Sequence, residues 1–212
     1  MQTPFSKHDE TAIMQALGPI IPSVLREAVE EGWHRFKKSR SLDPNGFAEY
    51  GLTSRANMLY DRIAAAARDL VGVAAVDIPG LSCGINKNKK STEVTFEPYF
   101  AFRMKRTKRN RKGLTTSVNT WRQCRIKSEY WTIRQPMLFP QIPISMEDRL
   151  WMTIGFDLDD LEEQIDKVEI GVEARRKFIW KQPLIQADAE VIASFPAIVA
   201  DRIAEMRVRR SA

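Results

Sequence analysis

The feature that most restricts the fold is a change of hydrophobic period partway along the chain. From Thr53 or Ser54 to about Val71, the apolar residues Ala56, Leu59, Tyr60, Ile63, Ala67 and Leu70 return every three or four positions. That is the stripe of an amphipathic helix. After Pro79-Gly80 the period shortens to two. Between Glu93 and Lys105, Val94, Phe96, Phe100, Phe102 and Met104 share one parity, and Glu93, Thr95, Glu97, Tyr99, Arg103 and Lys105 the other. This alternation predicts a strand with one buried face, and Pro98 predicts an edge position or a bulge near its middle. A chain that changes period in this way needs a sheet with helices laid against it.

The flanking segments extend the pattern. A short helix is expected over Glu10 to Leu17, ended by Gly18, Pro19 and Pro22. Ser23 is placed to cap a longer helix carrying Leu25, Val29, Trp33 and Phe36, with Asp43-Pro44-Asn45-Gly46 as its stop. Thr107 to Gly113 reads as an exposed turn, and Leu114 to Lys127 as a short helix. Alternation returns at Leu150, Met152, Ile154 and Phe156. Asp157 is expected to cap a helical stretch through Ile165, followed by a strand at Val168, Ile170 and Val172. Lys177 to Gln182 then pairs back across Ala174 to Arg176, and a final helix carries Ile198, Val199, Ile203 and Met206. Runs of helices and runs of strands, without strict alternation, predict an α+β fold with a mainly antiparallel sheet. The N-terminal helical segment, 1–50, and the α+β core, 51–212, read as one compact unit, since no Gly-, Ser- or Pro-rich linker and no internal repeat divides them.

Charge is sorted along the chain. The formal net charge is +6. Residues 86–134 hold 14 Lys and Arg against 3 Asp and Glu, whereas 147–173 hold 10 acids against Arg149 and Lys167. Such sorting speaks to partners and not to the fold. The first ten residues lack a basic stretch followed by an apolar one, and no apolar run approaches the roughly 18 residues of a membrane span. A cytoplasmic protein without membrane partners is expected. Cys83 and Cys124 stand outside any CxxC pair and are expected to be reduced.

Several short segments occur in a characteristic order: Ser54-Arg55-Ala56-Asn57-Met58-Leu59-Tyr60-Asp61, Phe100-Ala101-Phe102-Arg103-Met104-Lys105, Thr120-Trp121-Arg122-Gln123, Ile154-Gly155-Phe156-Asp157-Leu158-Asp159-Asp160 and Phe178-Ile179-Trp180. In these, between about Ser54 and Pro183, the chain resembles a loosely defined group of bacterial proteins of unknown function. They are encoded on mobile elements or prophages, often beside a gene for a helix-turn-helix regulator fused to a zinc peptidase. The resemblance implies a role in a toxin-antitoxin, phage-defence or regulatory locus, and carries over no catalytic residue.

Arg103, Lys105, Arg106, Lys108, Arg109, Arg111 and Lys112 place seven cations within ten positions. Dense flexible cations suit DNA or RNA phosphates, whose binding is driven largely by released counterions. Tyr99, Trp121, Tyr130 and Trp131 are available for stacking on single strands. No helix-turn-helix, zinc-finger or RNA-recognition signature accompanies the cluster, so backbone contact of low specificity is expected. The same cations also fit a solvated hairpin tip, or a surface that meets the acids Asp159, Asp160, Glu162 and Glu163 of this chain or a protein partner.

A metal-dependent nuclease acting as a toxin or defence effector is the alternative, drawing on Asp77, Glu93, Glu97 and Lys105. On a straight strand, however, Glu97 and Lys105 would lie roughly 26 Å apart. An assembly subunit is a third reading. His8 and His34 lack partners at ligand spacing, the acids after Asp157 miss the EF-hand positions, and no Gly-rich phosphate loop occurs. No cofactor is expected, and a non-enzymatic binding protein is the leading expectation.

Overall fold

The computed structural model describes residues 4–86, 91–109, 115–117, 149–159, 164–174 and 177–211. The elements run α1 (Glu10–Leu17), α2 (Ile20–Leu42), α3 (Pro44–Glu49), α4 (Leu52–Ala74), β1 (Leu81–Asn86), β2 (Ser91–Phe96), β3 (Phe100–Arg109), β4 (Thr115–Ser117), β5 (Leu150–Leu158), β6 (Ile165–Ala174), β7 (Lys177–Pro183), α5 (Ala189–Ala193) and α6 (Ala197–Ser211). The fold is α+β. The sheet order is β1-β2-β3-β5-β6-β7, antiparallel at every step except β3 with β5.

The helix signals act as local chemistry requires, with some shifts. Asp9 caps α1 by accepting from the Ala12 amide at 3.0 Å, and Gly18, at φ 60°, ends it. α2 nevertheless starts before Ser23. Pro22 sits in its first turn, where no amide donor is needed, and the Ser23 hydroxyl bonds back to the Pro19 carbonyl at 2.8 Å. Asp43 both ends α2 and caps α3 through the Gly46 amide. α4 extends to Ala74, and Ala56, placed in its stripe by sequence, is exposed.

α2 and α4 pack closely because Gly32 faces Ile63: a Cβ at Gly32 would lie 2.4 Å from the Ile63 Cα. α4 lies against β1, β2 and β3, α2 against β6, and α6 against both long helices. Between the layers Ile63, Leu70, Phe102, Met152, Ile154, Ile170, Ile203 and Met206 are fully buried. Ile198 is 46% exposed, so the α6 stripe is narrower than its sequence suggests.

The alternation from Glu93 to Lys105 belongs to two strands. β2 and β3 turn over at Glu97, Pro98 and Tyr99, so that Phe96 stands opposite Phe100 and Val94 opposite Phe102. Opposed residues in an antiparallel pair share a face, so the apolar parity passes unbroken through a three-residue turn. β1, short and interrupted by Gly84, gave no periodic signal.

Three further expectations are corrected. Thr107 to Arg109 is not an exposed turn: β3 continues to Arg109, and Thr107 is fully buried, its hydroxyl donating to the Phe156 carbonyl. Thr115–Ser117 is strand β4, not helix; residues 118–127 lie outside the described set. Asp157 is within β5 and Ile165 within β6, joined by a turn that Asp159 closes through the Gln164 carbonyl at 3.0 Å and amide at 3.2 Å. Residues 160–163 lie outside the described set.

Candidate nucleic-acid interface

The helix-free face of the sheet is polar yet closed. Arg103 on β3 reaches across β5: its Nε donates to Thr153 Oγ1 at 3.0 Å, and its Nη2 to Glu173 Oε2 on β6 at 2.8 Å. The two charged side chains are 11% and 2% exposed. Next along the sheet, Lys181 on β7 holds both oxygens of Glu169 at 2.7 and 2.9 Å. Glu93, one rung beyond the Val94–Phe102 pair and so level with Arg103, is also buried. Two acids of the 147–173 segment are therefore matched inside the molecule by cations.

Farther up, the face closes by contact instead of charge. β4 is hydrogen-bonded to β3 and also lies beside β7. Glycines of β5 and β6 let neighbouring side chains and backbone come close on this face. A Cβ at Gly155 would lie 2.6 Å from Thr107 Cγ2, and one at Gly171 would lie 2.7 Å from Phe178 Cδ1 and 2.4 Å from the Trp180 carbonyl oxygen.

The fold divides the seven-cation cluster. Arg103 is committed to the internal pair with Glu173. Lys105 and Arg106 are half-buried, and each is engaged in further interactions. Lys108 and Arg109 occupy the last rungs of β3, opposite Thr116 and Thr115 of β4. Arg111 and Lys112 fall in the connection 110–114, outside the described residues. Because β5 runs parallel to β3, with Phe156 opposite Arg106, the basic end of β3 and the β5–β6 turn lie at the same end of the sheet. Asp159 is in that turn; Asp160, Glu162 and Glu163 are outside the described residues.

The carboxylates considered for a nuclease do not assemble among the described residues. Glu97, in the β2–β3 turn, pairs with Arg149 at 2.8 Å, while Lys105 is five positions up β3 from Phe100, about 17 Å of strand. Glu93 instead comes back beside Arg103. Among the described residues no group of three His, Cys, Asp or Glu is spaced to hold a metal ion.

Other buried polar groups lie away from this face. Glu27 on α2, 1% exposed, accepts from Arg207 at 2.5 and 2.8 Å and from Arg210, which ties α6 to α2. Glu31 bonds Arg35, which reaches Asp69 on α4 at 2.7 Å. The signal that reveals Glu27 and Glu31 in sequence is their place one turn apart among the apolar residues of α2. Tyr60 accepts the Thr92 amide at 3.0 Å, and burial raises its hydroxyl above the usual range. Burial pushes the Cys83 thiol up to about 11.

No described helix is long and apolar enough to cross a membrane. Comparison with protein-family models, curated proteins and solved structures finds no match for the chain.

Proposed function

We propose that the chain is a cytoplasmic, non-enzymatic binding protein that grips a nucleic-acid backbone with the basic end of its β3–β4 hairpin. The observation that supports this reading is the division of the cluster. Arg103 is neutralised within the sheet, while Lys108 and Arg109 occupy the last rungs of β3 beside β4, and Arg111 and Lys112 follow them in sequence. Cations so dense along the chain suit phosphates, and phosphate contacts carry no sequence information by themselves. Asp159 in the β5–β6 turn lies at the same end, and with Asp160, Glu162 and Glu163, which follow it in sequence, is assigned to a protein partner. We place the chain in a toxin-antitoxin, phage-defence or regulatory module, the setting that the resemblance of its short motifs to those of mobile-element proteins implies.

The test is retention of purified protein on DNA and RNA columns along a salt gradient. Wild type is expected to elute late, and the variant with Lys108, Arg109, Arg111 and Lys112 all changed to Ser to elute close to the void at moderate salt. Unchanged retention of that variant would refute the assignment. Cleavage of labelled strands in magnesium or manganese, abolished by Glu97→Gln, would replace it with the nuclease.

A further inference from the structure

The last helix, α6, is held in two unlike ways along its length. Val199, Ile203 and Met206 are buried where it packs on α2 and α4, and one turn farther on the same face changes from hydrocarbon to charge. Arg207 and Arg210 stand four positions after Ile203 and Met206. Arg207 donates to Glu27 of α2 through Nε at 2.8 Å and Nη2 at 2.5 Å, and Arg210 bonds the other oxygen of the same carboxylate. That carboxylate is 1% exposed. Glu30, one turn on, has Arg26 of its own helix at 2.7 Å as well as Arg210 at 3.3 Å. Glu27 is therefore the acid whose neutralisation arrives with α6. The approach to this helix is lightly anchored: the five residues of α5 are exposed or half-buried, and Phe195 is the buried side chain beside Pro196, where α6 begins anew.

We propose that α6 is an electrostatic latch, which opens as one unit about Ser194 to Pro196 while the sheet and the α2–α4 pair stay folded, with the charge of Glu27 setting how readily it closes. A carboxylate taken out of water has to be met by cations. Docking of α6 buries this acid and its two guanidiniums together, and opening returns all three to water, so the attraction lost is largely offset by hydration regained. What then holds the helix is mainly its three buried apolar side chains. Such an element opens at a lower cost than the whole molecule unfolds. Dissolved ions reach the separated charges of the open form more readily than the buried carboxylate of the closed one, so added salt favours opening.

Hydrogen exchange on the full chain, read peptide by peptide by mass spectrometry at low and high sodium chloride, follows the latch directly. Amides of α6 are expected to exchange together and at least about tenfold faster than those of α4 and β5. Added salt is expected to speed α6 a further few-fold, on the order of threefold, and to leave α4 and β5 as they were. Glu27→Gln is expected to speed exchange of α6 about tenfold and to blunt its salt response. Arg207→Gln, on the partly exposed side of the contact, keeps the buried carboxylate paired with Arg210 and is expected to act in the same direction by less. Exchange of α6 at the rate of α4 and β5 would overturn the proposal, as would fast exchange indifferent to salt and to both substitutions. Acceleration of α4 and β5 along with α6 in the Arg207→Gln variant would make this contact a support of the whole fold and overturn the latch equally.

Discussion

The two faces of the sheet are both buried, but by opposite means. Toward the helices, Phe102, Met152, Ile154 and Ile170 exclude water with hydrocarbon; on the other side Arg103, Thr153 and Glu173 do so as a bonded set, and Gly155 and Gly171 by having no side chain at all. Hydrocarbon burial degrades gradually when atoms are removed, since neighbours partly relax into the space. A buried ion pair fails abruptly, because the surviving partner keeps its desolvation cost. The contrast also shows which cation the fold has used: Arg103, inside the polar face, is already matched by Glu173.

The largest effect that tests this comparison is expected from Arg103→Met, which leaves the Glu173 carboxylate without its guanidinium at 2% exposure. A loss of about 3–5 kcal/mol in urea unfolding is expected. Adding Glu173→Leu is expected to recover most of that loss; if the double variant is less stable than the single, the pair is not what holds this face. Next in size is Gly155→Ala, expected to cost about 1–3 kcal/mol by overpacking against Thr107. Thr107→Ser removes the methyl that lies 2.6 Å from the new Cβ, so it is expected to rescue Gly155→Ala specifically. Failure of that rescue would place the clash elsewhere.

On the helix face, Ile170→Val removes one methylene from a fully buried side chain and is expected to cost only about 0.5–1.5 kcal/mol. A cost as large as that of Arg103→Met would erase the distinction between the faces. The smallest effect concerns Cys83. Its thiol titrates near 11 in the fold and near 9 when unfolded, so the fold holds the proton more tightly. Its contribution is full below pH 9 and is lost as pH rises toward 11. Cys83→Ala is expected to flatten the alkaline fall in stability relative to wild type; parallel curves would remove the thiol from the account.

Much of the architecture could be read from periodicity, and the misreadings have definite causes. Helical stripes placed α2 and α4, alternation placed β5 and β6, and the turn at Ala174 to Arg176 placed β7. Alternation could not separate one long strand from β2 and β3, because a three-residue turn preserves parity, although Pro98 marked the place. Thr107 looked exposed because its neighbours are cations; its side chain instead lies over Gly155 of β5, a contact between segments far apart in sequence. Charge counting found the basic run, but could not say that Arg103 would meet Glu173 seventy positions away. That pairing depends on β3 and β5 lying side by side and parallel, which no local pattern announces.

The central claim, that the cations at the β3–β4 end bind phosphate while Arg103 serves the fold, is tested most directly by the salt dependence of binding to duplex DNA. Binding constants for wild type and for the Lys108, Arg109, Arg111 and Lys112→Ser variant are compared across ionic strength, with urea midpoints measured alongside. Four lost phosphate contacts are expected to reduce the magnitude of the log–log slope by about 3–4. The urea midpoint is expected to stay unchanged. An unchanged slope, or a slope that changes only because the variant unfolds, would contradict the division of this cluster between fold and ligand.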